Sequence, residues 1–316
     1  MKILIYFSFN EEQIQTFQQI ANEHGDHDVL HAGSEAEAIS LVEEAEVLLG
    51  LFPPVVCAAA SKLRWIQSHS AGMDNFLFPE IIERDVIVTN MAGLYASQGG
   101  EHAWALLLSL ARGIPYTIGP GGKNAWQMPA IELTGGTLGI IGLGGFGMEM
   151  VKRAPGYDMS ILALDPVRQD RPADVAELKP PTRENLHNLL RRSDAVMIAC
   201  PKIPETYHLI GEEELVVMKK TAYLVNVTRG GIIDEDALIN ALKNGEIAGA
   251  GLDVSEVEPV PPDSPLWEVP NLIITPHRAG ASQHRPRKTF EFFCDNLRRY
   301  LKGEELRNVV GKKRGF

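Results

Sequence analysis

Three cysteines, Cys57, Cys200 and Cys294, are too few and too widely spaced for a disulfide framework, and they are odd in number; they suit a reducing compartment. CxxC and HExxH spacings are absent, so a zinc site has little support and no metal is expected. Basic residues are the minority. Thirty Lys and Arg against 41 Asp and Glu leave a net charge of −11, which argues against a nucleic-acid backbone as partner. The closing Lys312-Lys313-Arg314 reads as a solvated tail. Long apolar runs are missing as well: residues 3–7 are too short for a signal core, and residues 103–111 are too short to span a bilayer. Low-complexity segments and sequence repeats are absent. These absences leave a soluble cytoplasmic protein that binds no membrane as the expectation. A 45% hydrophobic composition over 316 residues gives room for two cores.

What is present alternates between strand-like and helix-like pieces. In the first hundred residues, 2–7, 47–51, 65–67 and 86–88 read as strands and 11–23 as a helix, a pattern that indicates a parallel sheet covered by helices. Residues 101–112 read as a helix that is apolar nearly all round and therefore buried on most sides. The run Gly119-Pro120-Gly121-Gly122 then breaks the pattern. A second α/β run begins near Thr137, with six strands predicted at 138–141, 161–164, 195–199, 223–226, 249–254 and 272–275. Helices fall between them, notably 212–218 and 235–243. The segment after Gly280 is helical over 287–302 and lies outside that second sheet.

Between the first two of those six strands stands Gly142-Leu143-Gly144-Gly145-Phe146-Gly147. A strand, a glycine turn, a helix and a second strand ending in an acid, here Asp165, form the dinucleotide fingerprint, in which the acid follows by roughly 20 residues. The first Gly permits the tight turn, the second lets a pyrophosphate approach backbone, and the third lets helix and strand pack closely. The helix N-terminus adds unpaired N–H groups and positive dipole for the phosphates. Asp165 can bond the ribose hydroxyls and repel a 2′-phosphate, so NAD is expected over NADP; Arg168, three residues on, softens that repulsion.

Three ionisable residues fall just past the last three predicted strands: Arg229, Glu258 and His277. In the 3-2-1-4-5-6 order of a doubly wound sheet those strands lie side by side, so the three residues share the rim where ligands bind. A guanidinium can clamp a carboxylate bidentately and polarise the carbonyl beside it. An imidazole can give or take the proton that accompanies hydride transfer, and a carboxylate on its far nitrogen sets the tautomer. Taken singly, each has a bland reading: a surface ion pair, a solvated loop acid, a loop cap. Their convergence beside a nucleotide motif favours the functional one.

The segments Asn226-Val-Thr-Arg-Gly-Gly231, Leu252-Asp-Val-Ser-Glu-Val-Glu-Pro259 and Thr275-Pro-His-Arg-Ala-Gly280 resemble three signatures of the D-2-hydroxyacid dehydrogenases. Pro204-Glu-Thr206, Met218-Lys219, Ser70-Ala-Gly-Met-Asp74 and Glu101-His102 are also similar to that family, in the right order from about residue 60 to 310. The resemblance implies two doubly wound parallel-sheet domains. A discontinuous, flavodoxin-like substrate domain (1–98 and 284–316) and a Rossmann cofactor domain (99–283) would face each other across a cleft. It implies His277 as general acid/base, Glu258 as its partner, Arg229 as carboxylate clamp and Asp253 as a neighbour of the nicotinamide. Backbone N–H groups of Ala71, Gly72 and Met73 would hold the substrate carboxylate. Cys200, Pro201, Thr206, Val227, Thr228 and Ala279 would join the glycine motif, Arg229 and His277 around the cofactor. Apart from the resemblance, Tyr95 and Trp126 are candidates to line the pocket, with plain core or interface packing the favoured reading of each.

The implied activity is NAD(H)-dependent interconversion of short 2-keto acids and D-2-hydroxy acids, of glyoxylate/hydroxypyruvate type. A non-catalytic NAD-sensing scaffold of the same fold would keep the same three residues, and a hydrolase or lyase with a structural nucleotide is a third reading. Lys202-Ile203 stands where a Leu-Thr pair is common in the family, and Arg278 follows the His where an aliphatic residue is frequent. The expected lack of a C-terminal regulatory extension argues against a phosphoglycerate dehydrogenase. A homodimer is expected around 101–112, where His102, Ala103, Trp104, Leu106, Leu107, Leu108 and Leu110 cover more of the helix than a one-sided contact needs, and the family resemblance implies a dimer with this helix near its interface; full burial between the chain's own two domains is the alternative.

Overall fold

The computed structural model describes residues 1–117, 130–313 and 315. The chain divides into two compact units, one formed by Met1–Leu94 with Ser282–Phe316 and the other by Tyr95–Ala281.

The first unit carries five parallel strands: β1 (Lys2–Tyr6), β2 (Asp28–His31), β3 (Ala45–Gly50), β4 (Trp65–Ser68) and β5 (Ile87–Thr89). Their order is β2-β1-β3-β4-β5. Strand β4 is buried throughout, and β3 nearly so, as strands covered by helices on both faces must be. Strand β2 escapes the hydrophobic pattern because it is an edge strand with Asp28 and His31 exposed at its ends. The helix Arg285–Lys302 belongs to this unit. Its Phe290 and Phe293 join Phe7, Phe9 and Phe17 in one aromatic cluster. Its buried Asn296 donates to Gln67 Oε1 of β4 at 2.8 Å.

Among the described residues, the second unit carries seven parallel strands: β6 (Thr137–Ile141), β7 (Ser160–Leu164), β8 (Glu177–Lys179), β9 (Ala195–Ile198), β10 (Tyr223–Asn226), β11 (Gly249–Leu252) and β12 (Leu272–Ile274). They lie in the order β12-β11-β10-β9-β6-β7-β8. Six strands are expected here from the sequence, and the sheet holds a seventh. The missing strand is β8, three residues of Glu-Leu-Lys on an edge, without an apolar run to reveal it. With β8 in place, β9 lies beside β6 rather than outside β7. Strands β10, β11 and β12 are consecutive neighbours, so their ends lie side by side as expected.

The apolar helix of this unit spans Ala96–Ala111 and starts five residues before its predicted position. Gly99 and Gly100 look like helix breakers in the sequence. A Cβ on Gly99 would lie 2.7 Å from the Phe146 ring, and one on Gly100 2.7 Å from Glu149 Cβ, so the bare backbone is what admits the helix Gly145–Arg153. On β11, Gly251 and Gly249 make room for Leu106 and Leu110 of the same helix. Its apolar surface is thus used within its own unit and needs no second copy for cover. Among the described residues, no helix is long and apolar enough to cross a membrane.

Candidate active site

The glycine turn between β6 and the helix Gly145–Arg153 is shaped by contacts that no side chain could share. A Cβ on Gly147 would sit 2.0 Å from the Gly142 carbonyl oxygen, and one on Gly142 (φ 99°) would sit 2.8 Å from Cys200 N. Gly144, the helix N-cap, is different: a Cβ there meets nothing within 4 Å. Close packing behind and open space in front make a backbone cradle. The first amides of the helix, which lack intrahelical acceptors, lie at its edge. Phe146 contributes only its N–H to such a cradle, since its ring is packed on Gly99.

Asp165 stands at the end of β7, and its carboxylate already has backbone partners. Leu143 N donates to Oδ2 at 2.8 Å, while Val167 N and Arg168 N donate to Oδ1 at 2.9 and 2.7 Å. The acid therefore ties the glycine turn to the loop after β7. Arg168 reaches the same turn, with Nη1 donating to Leu143 O at 3.3 Å and Nε 3.4 Å from Asp170. The Cys200 thiol is buried, which pushes its pKa up to about 12 and removes it as a nucleophile.

After β10 the chain folds on Asn226, a residue to which the sequence reading assigned no role. Its buried side chain accepts from Thr228 N and Thr228 Oγ1, both at 3.0 Å, and donates to Arg229 O at 2.8 Å. This Asx turn fixes the backbone that carries Arg229, whose Nη1 donates to Thr228 O at 2.7 Å. Gly230 then approaches the next loop so closely that a Cβ would lie 1.9 Å from Ser255 O. The Arg229 loop and the Glu258 loop are thereby packed backbone to backbone.

The loops after β11 and β12 meet at a short hydrogen bond: His277 Nδ1 lies 2.6 Å from Glu258 Oε2. Ser255 N donates to the other Glu258 oxygen at 3.1 Å, which orients the carboxylate. The imidazole is 44% exposed, and with Nδ1 engaged its Nε2 is the atom left for a ligand. His277 is left-handed, with φ 50°. Asp253 supports that loop: its carbonyl accepts from His277 N at 2.8 Å, and its buried carboxylate accepts from Arg278 N and Ala279 N at 2.9 and 2.6 Å. Burial alone would raise the Asp253 pKa, but hydrogen bonds from His102, Thr275 and these two amides outweigh it and hold the carboxyl below its ordinary value.

Val227 and Ala279 are core side chains, so only their backbone could serve a ligand. Thr206 Oγ1 donates to Pro201 O at 2.7 Å and accepts from Ile203 N at 2.9 Å, so its hydroxyl holds the turn after β9. Tyr95 is buried at the start of the helix Ala96–Ala111. Trp126 and the run Gly119–Gly122 lie outside the described residues. In the first unit, the loop after β4 is anchored by buried Met73 and by Asn90 Nδ2, which donates to Ala71 O at 2.9 Å. Among the described residues, no acceptor takes the N–H of Ala71, Gly72 or Met73.

The family model for the NAD binding domain of D-isomer specific 2-hydroxyacid dehydrogenases matches residues 104–279. A glyoxylate reductase of Korarchaeum cryptofilum is 38% identical over 291 residues, covering 89% of this chain and 87% of its own. Among solved structures, a D-isomer specific 2-hydroxyacid dehydrogenase family protein from Aeromonas salmonicida has a TM-score of 0.82 at 30% identity, over 98% of this chain and 99% of that one. A D-isomer specific 2-hydroxyacid dehydrogenase from Xanthobacter autotrophicus Py2, in complex with NADPH and MES, has a TM-score of 0.82 at 27% identity, over 99% of each chain.

Proposed function

The chain belongs to the D-isomer-specific 2-hydroxyacid dehydrogenase family, and from that premise we propose that it reduces short 2-keto acids, glyoxylate and hydroxypyruvate among them, to D-2-hydroxy acids with NADH. The observation that carries this reading is the 2.6 Å bond between His277 Nδ1 and Glu258 Oε2 on the strand-end rim of the sheet that holds the glycine cradle. The cradle fits a dinucleotide: Gly144 leaves open space where a pyrophosphate would approach backbone, and Gly142 and Gly147 admit no side chain. When bound, the nicotinamide supplies the hydride in reduction and accepts it in oxidation.

The chain's own residues do the rest. Glu258 holds the imidazole through Nδ1, which leaves His277 Nε2 to give its proton to the carbonyl oxygen in reduction and to take it back in oxidation. Arg229 pairs with the substrate carboxylate and polarises the neighbouring carbonyl. A carbonyl compound without the carboxylate forfeits these charge-assisted bonds and should be a poor substrate. NADH is favoured over NADPH because Asp165, held by three backbone N–H groups, would face a 2′-phosphate with like charge; Arg168 beside it makes the preference modest.

The test is NADH and NADPH consumption with a panel of 2-keto acids, followed by chiral analysis of the product. The reading requires a D product and little activity on aldehydes that lack the carboxylate. A predominantly L product, equal turnover of such aldehydes, or no turnover at all would overturn it.

A further inference from the structure

His102 sits on the helix Ala96–Ala111, remote in sequence from the loop that carries His277, yet its Nε2 lies 2.8 Å from Thr275 Oγ1 and 3.2 Å from Asp253 Oδ1. Thr275 Oγ1 in turn lies 2.6 Å from Asp253 Oδ1. The proton inventory of this group is constrained. A carboxylate only accepts, and a threonine hydroxyl has one proton. That proton goes to Asp253, so Thr275 must accept from His102, which requires the proton of His102 on Nε2. His102 thus donates into the same Thr275–Asp253 pair that accepts the amides of Arg278 and Ala279. The next turn is tied to the same helix, since Gln98 Nε2 donates to Gly280 O at 3.4 Å.

We propose that His102 is a positioning residue for His277: by donating through Nε2 to Thr275 and Asp253, it locks the loop 275–279 in the conformation that holds the acid/base imidazole. The left-handed backbone at His277 gives the lock its purpose. A non-glycine residue with φ 50° persists only where its surroundings over-determine it, and here Asp253 bonds three consecutive amides, those of His277, Arg278 and Ala279. Without a donor at position 102, the Thr275 hydroxyl is free to turn to Leu252 O, 3.5 Å away, and Asp253 loses two of its side-chain bonds.

This inference rests on the keto-acid reductase reading, and the experiment separates the two. His102→Leu removes the donor, His102→Gln restores an N–H near the same place, and Thr275→Val serves as a second disruption if the Leu variant folds poorly. In cofactor-free protein, amide exchange of Arg278 and Ala279, read by mass spectrometry, should speed up about tenfold or more in the Leu or Val variant. It should stay within about threefold of wild type in the Gln variant, with β10 unchanged in all. In turnover, the Leu variant should lose about tenfold in kcat with the KM for keto acid little changed, and Gln should recover most of it. On a His277→Ala background, the Leu substitution should cost nothing more. Unchanged exchange in the Leu and Val variants overturns the proposal, as does a loss that multiplies fully with that of His277→Ala. A wild-type protein that reduces no keto acid sinks the activity reading instead, and the exchange measurement still decides the lock.

Discussion

His277 is the residue on which the proposed chemistry depends most directly. His277→Ala should cut turnover by roughly 10²–10⁴-fold, the usual worth of general acid–base catalysis, while cofactor affinity changes little. Turnover near the wild-type rate would remove His277 from the mechanism. A second histidine sets a stability limit. The ring of His69 lies between Phe7 and Phe76, each 5.6 Å away between ring centres. Burial lowers its pKa from the ordinary 6.5; the bond to Gly50 O opposes this and Arg285 adds to it. A histidine that holds its proton less readily when folded gives full stability above its unfolded value and loses it as pH falls below that value. Melting temperature should therefore drop from pH 7 toward pH 5, and His69→Gln should lessen the drop; an identical slope in the variant would exclude His69 as its source. Asn226 and Asp253 both hold neighbouring backbone through their side chains, which a residue type alone does not reveal.

From β6 through the helix Gly145–Arg153, three glycines separate structural from ligand-binding roles. A Cβ on Gly147 would collide with the Gly142 carbonyl at 2.0 Å, and one on Gly139 with Leu189 Cδ2 and Ser193 Oγ at 2.5 Å. Gly139→Ala and Gly147→Ala should each destabilise the fold by about 1–3 kcal/mol, the usual cost of overpacking. Gly144→Ala meets open space and should leave the melting temperature unchanged, while a methyl at the cradle raises the Kd for NADH about tenfold or more. Thermal melts and NADH titrations of the three variants check this. If Gly144→Ala binds NADH normally, the open side of the turn is not where the pyrophosphate lies. The element boundaries show where sequence reading runs out. Strands β2 and β8 are short edges with half-exposed or exposed side chains, so no apolar run marks them. The helix Ala96–Ala111 begins through a glycine pair that local propensity rejects and helix packing requires.

For the whole molecule, the family resemblance still implies a homodimer, but the buried side of the helix Ala96–Ala111 cannot be what drives it. The helix presents Glu101, Ala105 and Arg112 to solvent, with Leu108 half-buried on the same face, and this is the part of it that a second copy could cover. Light scattering at micromolar concentration should give twice the monomer mass, and Ala105→Arg should shift the population toward monomer; a wild-type monomer would refute the dimer outright. The class of the second unit, the glycine turn and the identity of the three strand-end residues follow from the order of residues along the chain. These are legible because a strand, a tight turn and a helix are written in contiguous residues, and because β10, β11 and β12 place their ends on one rim. Packing in three dimensions set which strands are edges, the 2.6 Å approach within the expected His277–Glu258 pair, and the gathering of His102, Thr275 and two amides around the one carboxylate of Asp253. Those contacts join residues far apart in the chain, and their geometry follows from side-chain packing and hydrogen-bond satisfaction, neither of which leaves a periodic trace in the sequence.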